Sequence, residues 1–285
     1  MPDDLTIRPF SCLEEYEACA DFQEEVWGEG FSEKVPSAIL MIANRLGGLA
    51  AGAFDESGFM HGFVFGITGP VEGELVHWSD MLAVRKSGRD KGLGAYLKWY
   101  QREVMLDRGV REMRWTFDPL QGRNAHVNFN KLGIVCREYV KDMYGDTDSP
   151  LHRGVGTDRF VAEWSLDSER VEARLSEAGG TAAVDPTEFV SVPQVFPVVE
   201  VGDFPQPGSP DLDLEDPRLL VAIPADIEPI MDDDLALAVR WREATRGVFS
   251  HYLSRGYEVQ EFFRGEPVSF YLLERGEAKV GDSVS

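Results

Sequence analysis

Apolar residues recur along the first 166 positions with two different spacings. From Leu13 to Val26, and again from Leu93 to Val104, they lie three or four positions apart, which is the spacing of a helix with one buried face. The runs LAAGAF and HGFVFGITG flank the turn sequence DESG and predict the two strands of a hairpin. In chain order the pattern predicts β-α-α-β-β-β-α-β-α-β-β. We therefore expect a mixed α/β fold, similar to the α+β class, with helices packed on a central sheet.

A second patterned region follows a weakly patterned one. Residues 168–217 are rich in proline, glycine and acidic residues, which predicts a connector. From residue 218 the chain contains the strand RLLVAIP, a helix after DDD, and the strands YEVQEFF and PVSFYLLE. The predicted division is a domain at 1–167, the connector, and a smaller C-terminal αβ region at 218–285. Because these strands flank a single helix, we expect the region to pack on the first domain.

Charge narrows the range of partners. The chain has 285 residues with 50 Asp or Glu and 28 Lys or Arg, a formal charge of −22. Such a charge repels phosphates, so we expect neither a nucleic acid nor a membrane as partner. No apolar run reaches the roughly 18–20 residues of a membrane span, and a cytoplasmic location is expected. Cys12, Cys19 and Cys136 have no CxxC spacing, which indicates neither a disulfide framework nor a metal site.

The sequence RDKGLG at 89–94 lies between the strand that ends at Val84 and the helix that follows. Gly92 and Gly94 let backbone N–H groups approach a ligand closely, and the start of the helix adds the positive end of its dipole. Arg89 and Lys91 add positive charge. The loop therefore predicts a phosphate or pyrophosphate ligand.

Two common nucleotide loops do not fit this sequence. A Walker loop needs a Lys-Ser or Lys-Thr pair after its last glycine, and none follows Gly94. A dinucleotide-binding loop needs a third glycine where Leu97 stands, and a βαβ unit where the pattern predicts a hairpin.

A third loop does fit. Arg89, Gly92 and Gly94 match the pattern R/Q-x-x-G-x-G/A, which resembles the pyrophosphate-binding loop of the GNAT superfamily of N-acetyltransferases. The segment MLAV before the loop, the order of predicted elements, and the sequence NAHVNFNKLGI resemble the same family. The resemblance covers residues 6–166, and the run WTFDPLQGRNAHVNFNKLG resembles a bacterial subgroup of predicted acetyltransferases that have no assigned substrate.

This resemblance implies acetyl-CoA, or another acyl-CoA, as co-substrate. The pantetheine arm would pair with the strand segment 81–84 like an added strand, and a backbone N–H near Leu82 would face the thioester oxygen. Asn124 would contact the coenzyme, although it also fits a helix N-cap. The expected coenzyme-binding residues are Met81, Leu82, Ala83, Val84, Arg89, Asp90, Lys91, Gly92, Leu93, Gly94 and Asn124.

Acetyl transfer to an amine needs a base, and the strand before the loop offers two candidates. Asp80 stands where the resemblance places a Glu or His, but an Asp that hydrogen-bonds its neighbours fits equally well. His77 lies on the other face of the strand and is also typical of a packed histidine. Phe129 stands where relatives often have a proton-donating tyrosine. Three residues are candidate substitutes for that acid, each also typical of a structural residue: His126, Tyr139 and Tyr144. Solvent is a further source of the proton.

The resemblance also implies a small-molecule amine as acceptor. Asp118 and Asn128 are candidates to line its cleft, with Trp27 either walling the site or packing. A chain that binds acyl-CoA without transferring the acyl group is an alternative. A further alternative is an assembly role for the C-terminal region, which would complete a sheet within the chain or across a homodimer. Its order of elements repeats that of residues 110–166, so duplication of a half-domain and chance recurrence both stay open.

Overall fold

The computed structural model describes residues 4–85, 92–145, 154–176, 189 and 191–276. They form two compact units, one made of Met1–Trp115 with Trp164–Val171 and the other of Thr116–Glu163 with Glu172–Ser285. Both units are built from helices on a mostly antiparallel sheet, which confirms the predicted mixed α/β class. Within the described ranges, no helix combines the length and the apolar character needed to cross a bilayer.

The first unit has its strands in the order β1-β2-β3-β4-β5, antiparallel except for the last pair. Its elements are β1 (Thr6–Pro9), α1 (Leu13–Trp27), α2 (Ser37–Arg45), β2 (Leu49–Phe54), β3 (Met60–Val71), β4 (Glu74–Val84), α3 (Leu93–Asp107) and the first part of β5 (Glu112–Phe117).

The core of the first unit lies between the sheet and the helices α1 and α2. Phe22 of α1 meets Phe63 of β3 edge-on, with 5.4 Å between ring centroids. Cys19 and Leu40 are buried in the same cluster. The predicted helices α1 and α2 are confirmed. Not all of their apolar residues are buried, since Leu13 of α1 and Ile39 and Ile42 of α2 are exposed.

The second unit carries the rest of the chain. Its elements are α4 (Gly122–Ala125), a π-helical segment (His126–Leu132), β6 (Val135–Val140), β7 (Arg159–Ser165), α5 (Glu169–Ser176), β8 (Val198–Val201), β9 (Phe204–Pro207), β10 (Arg218–Pro224), α6 (Glu228–Asp233), α7 (Leu235–Ser254), β11 (Tyr257–Phe263) and β12 (Val268–Arg275). Along the chain, β5, β7 and α5 each begin in one unit and end in the other.

The C-terminal strands extend the sheet of the second unit, whose order is β7-β6-β11-β12-β10. Strand β11 pairs with β6 through Val259 and Cys136. Phe160 of β7 lies 4.6 Å from Phe249 of α7, measured between ring centroids. The expectation that the C-terminal region packs on strands of the first predicted domain is therefore confirmed for residues 218–276. The duplication stays a hypothesis.

The predicted connector contains regular structure that the sequence pattern did not indicate. Helix α5 and the hairpin β8–β9 both lie within residues 168–217. Two of the four residues of β9, Pro205 and Pro207, are prolines, which hide the hairpin from a strand pattern because proline cannot donate to a ladder. The hairpin is held by α7, because Trp241 Nε1 donates to the backbone oxygen of Pro205 at 2.9 Å. The domain boundaries at 167 and 217 stay a prediction.

Candidate functional site

Strand β4 changes neighbours partway along its length. It pairs in parallel with β5 only through Val76, His77 and Trp78. Its pairing with β3 continues to Val84. Between Ser79 and Leu82 the described ladder therefore has β3 on one side only. The backbone groups on the other side of such an edge can pair with an extended ligand.

A β-bulge lies at the point where β5 stops pairing. The register between β3 and β4 shifts between Phe65 and Ile67, where Ser79 and Asp80 together lie opposite one β3 residue. A bulge inserts one extra residue and turns the side chains that follow it to the other face. It therefore decides which β4 side chains meet each helix.

The bulge exchanges the two faces of β4. Before it, His77 and Ser79 bond with side chains of α3. After it, Leu82 and Val84 face α3, whereas Met81 joins the core beneath α1 and α2. Strict alternation from His77 would have placed Met81 on the side of α3. The open edge of β4 thus lies where its backbone is locally twisted.

Helix α3 begins beside this segment. Gly92 has φ 71°, a left-handed conformation that favours glycine, and its carbonyl accepts from Ala95 N at 3.0 Å. A Cβ built on Gly92 would meet no atom of the described residues within 4 Å, so the described part of the chain leaves open space on that side. A Cβ on Gly94 would lie 3.5 Å from Leu82 Cδ2, which brings the start of the helix against β4. Arg89, Asp90 and Lys91 lie outside the described residues.

Asp80 lies in the bulge and is exposed, whereas His77 and Ser79 before it are buried. The protein atoms around its carboxyl remove part of its hydration, and with the negative charge of Glu33 they raise the pKa of Asp80. A carboxylate with a raised pKa is a better proton acceptor than an ordinary one. Its position at the bulge would allow it to take a proton from a group bound at the open edge.

A chain of polar side chains lies under the bulge, between β4 and α3. Lys98 Nζ donates to Ser79 Oγ at 2.7 Å, and Ser79 Oγ donates to Gln101 Oε1 at 2.9 Å. Gln101 Nε2 lies 2.8 Å from His77 Nε2, and His77 Nδ1 lies 2.8 Å from Thr68 Oγ1. Thr68 Oγ1 in turn donates to the backbone oxygen of Gly47 at 2.8 Å.

This chain fixes the protonation of His77. The Gln101 amide nitrogen can only donate, so His77 Nε2 must accept, and the ring proton lies on Nδ1. Burial, followed by the positive charges of Lys98 and Arg108, lowers the pKa of His77 to about 3. His77 is therefore neutral with both nitrogens hydrogen-bonded, an arrangement that a structural role accounts for. A catalytic role for it stays a prediction.

The buried face of α3 differs from the predicted one. The apolar spacing predicted that Tyr96 would be buried, but Tyr96 is 40% exposed. Lys98 and Gln101 are buried instead, and burial lowers the pKa of Lys98 well below its usual range. Lys98 Nζ lies 3.7 Å from the centre of the Trp115 ring. The network is stable inside the unit because each polar group has a partner.

Trp27 lies at the end of α1, where the chain turns toward α2. Its ring stacks on Phe31, with 5.3 Å between centroids and 25° between planes, and meets Phe63 edge-on at 6.2 Å. Trp27 and Phe31 are both partly buried. The packing predicted for Trp27 is therefore present, and a role for it in binding an acceptor stays a prediction.

The remaining predicted site residues belong to the second unit. Asp118 accepts from Arg242 Nη2 at 2.6 Å, Asn124 is exposed, and Asn128 is buried. Burial, followed by the charges of Arg264 and Lys131, lowers the pKa of His126. Roles of these residues in binding or catalysis stay predictions.

Phe129 lies in the aromatic core of the second unit and is fully buried. Its ring meets Tyr271 edge-on at 5.8 Å and Phe117 at 6.2 Å, measured between centroids. The sequence singled out Phe129 because relatives often have a tyrosine there. Here the position is surrounded by other aromatic rings.

Phe129→Tyr is accordingly expected to lower the free energy of unfolding by about 1–3 kcal/mol, because it buries a hydroxyl among aromatic rings. Equilibrium urea unfolding measures the change. Phe59→Tyr makes the same chemical change on a ring that is 48% exposed, and it should have little effect. Equal stability of the Phe129→Tyr variant and the parent would contradict the packing described here.

No family model matches the chain, and no curated protein matches it. Among solved structures, the chain is similar to the NatC complex bound to Gag peptide and CoA, with 15% identity over 57% of this chain and 98% of that chain, at a TM-score of 0.45. It is similar to the acetyltransferase of the GNAT family from Streptococcus pneumoniae, with 17% identity over 56% and 98% of the two chains and a TM-score of 0.45. It is also similar to Ard1 from Thermoplasma volcanium, with 16% identity over 56% of this chain and 96% of that chain and a TM-score of 0.42.

Proposed function

We propose that the chain is a GNAT-type acyltransferase, which moves an acetyl or other acyl group from acyl-CoA to the amine of a small molecule. The observation that carries this proposal is the open edge of β4. From Ser79 to Leu82 the strand has one ladder neighbour, and the left-handed Gly92 starts a helix beside it. The sequence pattern around Gly92 and Gly94 supports the same conclusion independently.

The chain's own backbone would hold the co-substrate. Amide-rich pantetheine suits the unpaired N–H and C=O groups of a strand edge. Pyrophosphate suits the first N–H groups of α3, because they have no partner within the helix and lie at its positive end. The open space over Gly92 leaves room for such a group.

The reaction needs one proton acceptor and one site for the oxyanion. As the amine nitrogen bonds to the acyl carbon, the carbon–sulfur bond breaks and the amine proton passes to Asp80, directly or through water. A backbone N–H near Leu82 would stabilise the oxyanion. The thiolate takes a proton from solvent, which the ordinary thiol pKa of about 8.5 allows.

The proposed acceptor is an amine that is positively charged in solution. Two carboxylates, Asp80 and Glu33, lie close enough in the first unit to influence each other. The stacked rings of Trp27 and Phe31 add an aromatic surface that also suits a cation. Such a site would attract the charged amine. The ammonium group loses one proton to solvent and becomes a nucleophile, and Asp80 takes the second proton as the amide bond forms.

Binding of CoA tests the first half of the proposal. At a hundredfold excess over Kd, a ligand specific to the folded state stabilises it by about 2.7 kcal/mol, so CoA should raise the melting temperature clearly. Gly92→Asp should remove most of this shift, because it places a carboxylate where the pyrophosphate binds. Gly92→Asn is the matched control, since asparagine has the same shape and tolerates the left-handed conformation without the charge. It should keep part of the shift.

Turnover tests the second half. Release of free thiol from acetyl-CoA, screened over a set of small amines, should identify an acceptor. Absence of a CoA shift in the unmodified protein would count against the whole proposal. A shift without thiol release from any amine would favour the alternative of an acyl-CoA-binding module.

A further inference from the structure

Helix α2 carries apolar side chains all round. Leu40 and Ala43 are buried in the core of the first unit. Ile39, Ile42 and Leu46, the last just past the end of the helix, are 46%, 51% and 76% exposed. Their spacing of three and four positions places them in one row along the helix. A helix that is apolar all round is normally buried on every side, so the exposed row is a candidate interaction surface.

Strand β3 continues this surface. Phe65 faces the core cluster of α1 and α2, and alternation places Ile67 and Val71 on the same face of the strand. These two side chains are 49% and 41% exposed. Thr68 Oγ1 donates to the backbone oxygen of Gly47, so this part of β3 lies beside the end of α2. We call the five exposed apolar residues the α2 patch: Ile39, Ile42, Leu46, Ile67 and Val71.

Charge distinguishes the α2 patch from the neighbouring helix. Helix α1 has six acidic residues among its 15. Residues 35–54, which include α2 and β2, contain no acidic residue, and β3 contains none either. Arg45 is the one charged residue within 35–54. The α2 patch therefore belongs to segments that carry almost no charge, in a chain whose formal charge is −22.

This charge distribution decides which partner fits. A basic protein would bind more strongly at the acidic helix α1, and an anionic membrane would be repelled by the chain as a whole. Two copies of the chain also repel each other, except where neither copy is charged. A dimer with two-fold symmetry brings the same surface of each copy together, so one apolar row would meet another.

We propose that the α2 patch is the interface of a homodimer, in which α2 of one copy packs against α2 of a second copy. A standard interface buries about 800 Å² on each partner, which is more than one short helix offers, so Ile67 and Val71 contribute as well. The C-terminal region does not supply this interface, because β11 pairs with β6 inside the chain. The proposal goes beyond acyl transfer and does not depend on it.

Sedimentation velocity of the full chain over a wide range of protein concentrations tests the proposal. The parent should show an equilibrium between monomer and dimer that shifts to dimer as the concentration rises. Added NaCl should strengthen the dimer, because salt screens the repulsion between two acidic copies. A contact made by ion pairs would respond in the opposite way.

Variants locate the interface. Ile42→Glu introduces a carboxylate from each copy into the α2 patch, and it should weaken dimerisation at least about a hundredfold, because a carboxylate buried without a partner is costly. Ile42→Leu keeps the apolar contact and should keep the dimer. Leu235→Glu is the matched control, since Leu235 is 45% exposed and belongs to the second unit. Far-UV circular dichroism verifies that each variant is folded.

Several results would overturn the proposal. These are a parent that stays monomeric at every concentration, a dimer that Ile42→Glu leaves unchanged, and a dimer that NaCl dissociates. Binding of a monomeric parent to vesicles of neutral phosphatidylcholine would assign the α2 patch to a lipid surface instead. The thermal shift with CoA, measured in parallel, tests only the proposed acyl transfer, so failure of one proposal leaves the other standing.

Discussion

Asp80→Asn is expected to lower kcat by on the order of a hundredfold or more, with the Kd for acyl-CoA little changed. Asparagine keeps the shape of the side chain but cannot take a proton from the amine. Asp80 is exposed and asparagine has nearly the same shape, so the substitution should change the fold little. Thiol release with a competent amine measures kcat, and titration of CoA measures Kd.

The pH profile gives an independent readout. A base acts only when it is deprotonated, so the rate falls as the pH decreases through the pKa of Asp80. Because that pKa is raised, the fall should occur at higher pH than for an ordinary aspartate. Glu33→Gln removes a negative charge that raises the pKa of Asp80. The fall in rate at acidic pH should then occur at a lower pH than in the parent.

An unchanged rate in Asp80→Asn, with an active parent, would assign the base elsewhere. His77→Gln then becomes the informative variant, since His77 is the other candidate base on β4. If the fall in rate at acidic pH occurred at the same pH in Glu33→Gln as in the parent, the group that titrates in the rate profile would not be Asp80.

Gly66→Ala is expected to lower the free energy of unfolding by about 1–3 kcal/mol or more, through overpacking at the bulge. A Cβ on Gly66 would lie 2.3 Å from His77 Nε2 and 2.5 Å from the backbone oxygen of Trp78. The first contact can be relieved only by breaking the hydrogen bond from Gln101 to His77. The second involves backbone, which the bulge holds in place. Equilibrium unfolding in urea measures the change.

Gly69→Ala is the matched control, since Gly69 lies in the same strand and a Cβ there would meet no atom within 4 Å. It should change stability by no more than about 0.5 kcal/mol. If both variants were equally stable, the side chain of His77 would have to lie elsewhere than described.

The sequence predicted the order of elements in the first unit because apolar residues recur at helical spacing in α1 and α3, and because two short apolar runs flank the turn sequence DESG in the hairpin β2–β3. It could not predict the bulge in β4. Both faces of the segment after Asp80 are covered, so Met81, Leu82 and Ala83 are apolar regardless of direction, and alternation gives no sign of the extra residue. The hairpin β8–β9 was hidden by its prolines for a different reason.

The candidate site likewise has one part that the sequence predicted and one part that it could not predict. The glycine pattern located the start of α3, because a left-handed residue before a helix requires glycine and leaves a signature in the sequence. The polar chain under β4 left no such signature. Lys98 and Gln101 are ordinary residues for an exposed helix face, and only their three-dimensional neighbours make them interior. The roles of Asp80, His77 and His126 stay predictions.

A series of hydrogen bonds begins at Lys98 and ends at the backbone oxygen of Gly47. The direction of its donors limits which substitutions the sequence can accept at these positions. Lys98 only donates, and each side chain after it accepts from one neighbour and donates to the next, so no member can reverse its role alone. Gln101→Glu, for example, would set an acceptor against the accepting nitrogen of His77. Homologues should therefore keep Thr68, His77, Ser79, Lys98 and Gln101 together, or replace the group as a whole with apolar side chains. The five residues should thus be conserved or replaced together. A homologue that differs at only one of them should also carry a compensating substitution at a neighbouring residue.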